Sequence, residues 1–279
     1  MAIGLTDEHA ALADAVRGWA ERNVTSDVRR AGIETRDAET RPAFWPGLAG
    51  QGLLGLHVPE EYGGQGAGLP ELAVALEELG RALVPGPFLP TVLASAALLR
   101  SDAVINDGDG AARAELLPGL ADGSRTGALS LAAGLTGTRE AGGLRVEGTS
   151  TPVLGAALAD VIVLPVATGQ GEEWVAVDAT ELEVAVRPAL DVTRGVASVT
   201  ASGVLVPDAR VLDGLQGPDV LDLAAVLMGA EAAGIAGWCV TTAADYAKVR
   251  EQFGRPIGQF QGIKHKCAAM LIELEQARA

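Results

Sequence analysis

The chain has 279 residues, 48% of them apolar and only 4% aromatic, and a formal net charge of −15. That length suits one large domain or two ordinary ones, with a core of small and aliphatic side chains. The acidity excludes a nucleic-acid partner, because phosphate contacts need a basic surface.

Residues 6–24 read as a helix. Thr6 can cap it, Asp7 and Glu8 suit its first turn, and Leu12, Ala15, Val16 and Trp19 form an apolar stripe. A polar, charged stretch follows to Pro42, then a short helix over 43–51 and a Gly-rich loop. Pro70 opens a helix through about 83 with Leu72, Leu76 and Leu79 on one side. Residues 90–100 and 110–121 also read as helices. From about 125 short apolar runs are separated by Gly, Thr and Asp. The runs 128–131, 144–147, 161–166, 174–177, 182–186 and 196–206 predict strands of a small β-domain. Pro218 marks entry to a long helix over roughly 219–250, and a last helix runs from about 259 with Ile263, Cys267, Met270 and Leu274 on one face. No Gly or Pro ends it. A chain cut short, a tail beyond 279 and a naturally short subunit all remain open.

Several chemistries find no support. His9, His57 and His265 are isolated, without metal-ligand spacing. There is no Walker loop, no G-x-S-x-G elbow and no G-x-G-x-x-G after a strand. No run reaches the eighteen or so uninterrupted apolar residues of a membrane helix; the most apolar windows, near 222–240 and 153–167, hold Glu231 and Asp160. Cys239 and Cys267 read as buried small hydrophobes. Two cysteines without a signal peptide fit a reducing cytosol, so a cytoplasmic location is expected.

The charge is unevenly spread. The only lysines are Lys248, Lys264 and Lys266, and with Arg250 and Arg255 they face one acid, Glu251, between 248 and 266. Concentrated positive charge on an acidic protein points to a local anionic ligand, or to a solvated basic face at a helix end. The order Tyr246-x-x-x-Arg250-x-x-Phe253-Gly254-x-x-Ile257-x-x-x-Gln261 resembles the acyl-CoA dehydrogenase family where one subunit grips the FAD of its neighbour. Two further runs extend the resemblance over most of the chain. Trp45–Leu56 leads into Val58-Pro59-Glu60-Glu61-Tyr62-Gly63-Gly64, and Glu77-Glu78-Leu79-Gly80-Arg81 follows.

The resemblance implies an α+β fold: an N-terminal helical domain (1–124), a β-barrel-like middle domain (125–216), and a C-terminal helical bundle begun at 217. Only two bundle helices are present. It implies FAD as cofactor, with Arg250 pairing with the pyrophosphate, Phe253 packing by the adenosine half, and Gln252, Phe260 and Gln261 completing the site. Arginine's planar fork of donors suits phosphate oxygens. The implied reaction is α,β-dehydrogenation of an acyl-CoA: a Glu takes the α-proton and the β-hydrogen leaves as hydride to the flavin. The implied partners are an acyl-CoA, a second dehydrogenase subunit or copy of the chain, and an electron-transfer flavoprotein.

The chain departs from that pattern at the flavin ring. Where the family carries Thr/Ser-Glu and a Gly-Ser-Asp turn, this sequence has Ser130, then Leu131, and no acidic turn. Where the family carries an aromatic, Ile and a hydroxyl residue, it has Pro152-Val153-Leu154. The β-domain holds a single aromatic, Trp174. One family position for the base falls on Ala224, followed by Ala225; the other falls beyond 279. Asp222 and Glu231 read as helix-surface charge or dipole partners, so no catalytic base is assigned. Three readings follow: a degenerate subunit of a heteromeric dehydrogenase, as in actinobacterial steroid degradation; a complete homomeric dehydrogenase cut short at 279; or a flavin-free scaffold with Arg250 in a structural salt bridge. Other flavin chemistry on the same fold is not selected by any residue.

Overall fold

The structure, a computed structural model, describes residues 6–35, 40–101 and 110–279. It divides into two compact units: Met1–Thr25 with Ala73–Val84 and Val226–Ala279, and Ser26–Leu72 with Pro85–Ala225.

The first unit is helical. Its α1 (Asp7–Asn23) starts at a reciprocal cap in which the His9 N–H donates to Thr6 Oγ1 and the Thr6 N–H to His9 Nδ1. Val16, Trp19 and Ala20 turn inward, whereas Ala15 of the expected stripe is exposed. The unit also holds most of α4 (Leu69–Arg81), most of α7 (Gly217–Val249) and all of α8 (Gln261–Arg278). Leu76 and Leu79 of α4 are buried, as their spacing predicts. Among the described residues α7 is the one helix long and apolar enough by composition to cross a membrane, with mean hydropathy 1.7 over its most apolar window. Glu231, buried within it, interrupts that apolar run. The cysteine expectation fails: Cys239 is exposed and Cys267 half-buried. Membership of an apolar helix does not fix burial, because α7 and α8 each cover only one face.

The second unit joins short helices to a sheet. Its helices are α2 (Ser26–Thr35), α3 (Trp45–Ala49), α5 (Phe88–Arg100) and α6 (Gly110–Ala121). Neither charge nor polarity announced α2, and none of residues 26–34 is buried. The opposite holds for α5: residues 88–98 are all buried, so it has no polar face to make an amphipathic signature. Its polar side chains are satisfied internally. Thr91 Oγ1 accepts from the Gly127 N–H, and Ser95 Oγ lies 3.0 Å from Nε2 of the buried His57.

The sheet contains β1 (Gly127–Leu129), β2 (Leu135–Glu140), β3 (Gly143–Leu154), β4 (Val161–Thr168), β5 (Gly171–Asp178), β6 (Glu183–Arg187) and β7 (Val196–Pro207). The order is β1-β4-β2-β3-β7-β6, with β5 also paired to β4. β4 runs parallel to β1 and β2; the other pairings are antiparallel. Leu135, Leu144, Ile162, Leu164, Val175 and Val199 lie in its core. The chain therefore has the α+β organisation expected: helices, a mixed sheet, then the two long helices.

Candidate functional site

The basic stretch folds into an arch between α7 and α8. The Arg250 N–H donates to the Tyr246 carbonyl at 2.8 Å and completes the last turn of α7. The chain then forms a minimal hairpin, β8 (Glu251–Gln252) and β9 (Arg255–Pro256), with Gln252 opposite Arg255. Its two-residue loop is Phe253-Gly254, at φ +53° and +78°. Positive φ at both loop residues is the type I′ pattern, which favours Asn-Gly. The Ile257 N–H closes the arch by donating to the Arg250 carbonyl at 2.8 Å. Phe260 caps α8, its carbonyl accepting from Ile263 and Lys264.

The five residues nominated by sequence all lie on this arch, and they are used differently. Phe253 is 93% exposed at the hairpin tip. Its ring meets that of Phe260 edge-on, centroids 6.1 Å apart. Gln252 Nε2 donates to the Glu251 carbonyl, and Gln261 Nε2 lies 3.2 Å from His265 Nε2. Arg255 was counted only as charge. It stands over the Phe260 ring, Cζ 4.3 Å from the centroid, a cation–π contact that no sequence spacing announces. Lys248 pairs with Asp245 at 2.7 Å. Arg250, Arg255, Lys264 and Lys266 pair with no carboxylate among the described residues. The arch therefore carries, within four residues, a guanidinium with no carboxylate partner among the described residues (Arg250) and an exposed aromatic ring (Phe253).

The positions expected to back a flavin ring are on the sheet, and they are closed on themselves. Ser130 and Ser150 are fully buried with their hydroxyls 2.7 Å apart. Ser150 Oγ donates to the Ala132 carbonyl at 2.8 Å, and the Ala132 N–H donates to Ser130 Oγ. Leu131 is 41% exposed. Pro152, Val153 and Leu154 lie on β3, with Val153 opposite Ala197 and Leu154 opposite Val196. Trp174 sits on β5 opposite Pro165, buried, with its indole N–H given to Glu172. On α7 Ala224 is buried, Asp222 exposed and Glu231 buried. These groups supply neither a flat stacking surface nor a proton acceptor at the expected places, so the sheet side does not fit a flavin ring.

Comparison with known proteins gives the arch its context. Residues 6–124 match the family model for the acyl-CoA dehydrogenase N-terminal domain, and residues 219–279 that for the acyl-CoA dehydrogenase C-terminal domain. A solved structure, the Tcur3481-Tcur3483 steroid ACAD G363A variant, is 31% identical with a TM-score of 0.86, covering 96% of this chain and 74% of that one. This chain belongs to the acyl-CoA dehydrogenase family. The acyl-CoA dehydrogenase FadE34 of Mycobacterium tuberculosis is 39% identical over 287 residues, which take in 99% of this chain. This chain spans only 37% of that relative's length. The ChsE4-ChsE5 complex from Mycobacterium tuberculosis matches with a TM-score of 0.86 at 25% identity, over 100% of this dehydrogenase-family chain and 77% of that chain.

Proposed function

We propose that this chain is a subunit of an FAD-dependent dehydrogenase acting on an acyl-CoA thioester, and that its arch clasps the pyrophosphate and adenosine of an FAD whose ring is seated in a partner subunit. The observation that carries this reading is Phe253: a ring 93% exposed, at a left-handed φ of +53° that Asn or Gly would adopt more cheaply. A residue held at such a cost, three positions from an arginine with no carboxylate partner among the described residues, is best explained by a ligand from outside the chain. Arg250 would pair with the pyrophosphate oxygens. Phe253, steadied by Phe260, would pack on the adenosine. Gln252 and Gln261 border the same arch and would complete the grip.

FAD, when bound, supplies the hydride acceptor for the dehydrogenation. The proton acceptor and the surface backing the ring are assigned to the partner, since Ala224, Leu131 and Pro152 offer neither. The likeness to a steroid ACAD and to a two-protein complex supports a heteromer acting on a bulky acyl-CoA. We place the assembly in the cytoplasm, with an electron-transfer flavoprotein as the expected acceptor of its electrons. The test is native mass spectrometry of the purified chain, counting flavins per oligomer. Flavin uptake only with a second polypeptide is the expected result. One FAD per chain in a homo-oligomer would instead favour the homomeric reading and overturn the half-site.

A further inference from the structure

The run Glu77-Glu78-Leu79-Gly80-Arg81 has no part in the arch, yet the other three helices of its unit register on it. From α8, Arg278 donates to Glu77 Oε1 through Nε (3.0 Å) and Nη2 (2.6 Å). From α1, Arg17 grips Glu78 with two bonds of 3.0 and 2.8 Å. α7 touches the run backbone to backbone. A Cβ on Gly234 would lie 1.8 Å from the Glu77 carbonyl oxygen, and one on Gly80 would lie 2.3 Å from that of Glu231. A Cβ on Gly237 would come within 3.1 Å of Nη2 of both Arg81 and Arg278, so a bare backbone there leaves room for the two guanidinium groups.

α8 meets α4 through that anchor. Of its eighteen residues only Leu274 is buried, one turn from Arg278 on the same face. Its N-terminal end carries Phe260 and Gln261. From Gln261 to Arg278 the helix is about 25 Å long, so a tilt of about 5° moves the far end by about 2 Å. That exceeds what a hydrogen bond tolerates.

We infer that the Arg278–Glu77 pair is a positioning device for the arch: it holds α8 in register on α4 and so fixes where Phe260 and Gln261 stand against the β8–β9 hairpin. The consequence for cofactor binding rests on the reading of residues 250–261 as an FAD clasp. Both side chains keep 22–25% exposure, so the pair can be removed without leaving a deeply buried charge.

The experiment uses the full chain as wild type, Arg278→Ala, Glu77→Gln and the conservative Arg278→Lys. Amide hydrogen exchange is followed across 250–264, and the FAD dissociation constant is measured on the chain with its partner subunit by quenching of FAD fluorescence. Arg278→Ala and Glu77→Gln should each speed exchange in the arch about fivefold, weaken FAD to a similar degree, and leave the rest of the unit's exchange unchanged. Arg278→Lys should restore most of both. Unchanged exchange in the arch, or an increase spread evenly over the unit, overturns the inference. If the wild type takes up no FAD even with its partner subunit while arch exchange still responds, the positioning role stands and the cofactor reading falls.

Discussion

Phe253→Asn separates what the ring costs from what it does. Holding an L-residue in the left-handed region costs about 1–2 kcal/mol, and Asn tolerates it best after Gly. Phe253 sits there at φ +53°. Against that relief stands the loss of the edge-on contact with Phe260, at 6.1 Å between centroids. Such pairs contribute about 0.5–1.5 kcal/mol, and at 93% exposure the lower end applies. The substitution should leave the fold unchanged or stabilise it by up to about 1 kcal/mol, a rise of at most about 3 °C in Tm for a chain of this size. FAD should respond in the opposite sense. An aromatic platform under a base contributes about 1–3 kcal/mol, so affinity should fall roughly 5- to 100-fold. Scanning calorimetry and an FAD titration, run on the chain with its partner, report the two quantities. A Tm lowered by several degrees with flavin binding intact would mean that the ring holds the hairpin together, and the reasoning from strain to ligand would be wrong.

Arg250→Ala should reduce FAD affinity by about tenfold to a hundredfold, the worth of one or two charge-assisted hydrogen bonds, without changing Tm; unchanged flavin content on purification would remove the arginine from the site. Burial pushes the His57 imidazole from its ordinary 6.5 down to about 4. The unfolded chain therefore binds the proton first, and stability present above pH 6.5 should drain away by about 3 kcal/mol as pH falls towards 4. Urea midpoints across that range should flatten in His57→Gln, and an identical slope in both proteins would contradict this. Gly234→Ala should destabilise the helical unit by about 1–3 kcal/mol through forced separation of α7 from α4, and a wild-type unfolding midpoint would show that the close approach is not needed.

The sequence announced most of this fold where burial is one-sided. α4 is legible because Leu72, Leu76 and Leu79 repeat at helical spacing and all three are buried. β4 is legible because Val161–Val166 form an unbroken apolar run covered on both sides. β2 escaped because only Leu135 of its six residues is buried, so neither alternation nor an apolar run appears. The β8–β9 hairpin escaped for a different reason. Its strands are two residues long, and its loop carries Phe where the I′ turn normally carries Asn, so the usual turn signal is absent. The nominated arch residues came from motif order, whereas the placing of Arg255 over Phe260 depends on the turn between them and the registration of α8 on Glu77 on an approach between segments about two hundred residues apart.

The sheet positions and the arch treat their polar groups in opposite ways. On the sheet, polar groups that could have met a ligand are satisfied at home: Ser130, Ser150 and Ala132 close their own hydrogen bonds, and Leu131 and Pro152 ask for none. On the arch, several charged groups have no carboxylate partner among the described residues. The stretch 248–266 carries five positive charges and one negative, while the rest of the chain carries −15 − 4 = −19. Lys248 is neutralised by Asp245, and Arg255 is turned onto a ring, but Arg250 has no carboxylate partner among the described residues. Screening in physiological salt acts over about 8 Å, so the acidic body does not cancel that local charge. Phe253 is at once an exposed ring and a left-handed residue, and the backbone conformation it holds has a cost in the free chain. The concentration of this ring and of Arg250 on one twelve-residue arch is what the proposed clasp on an anionic, flat ligand would use.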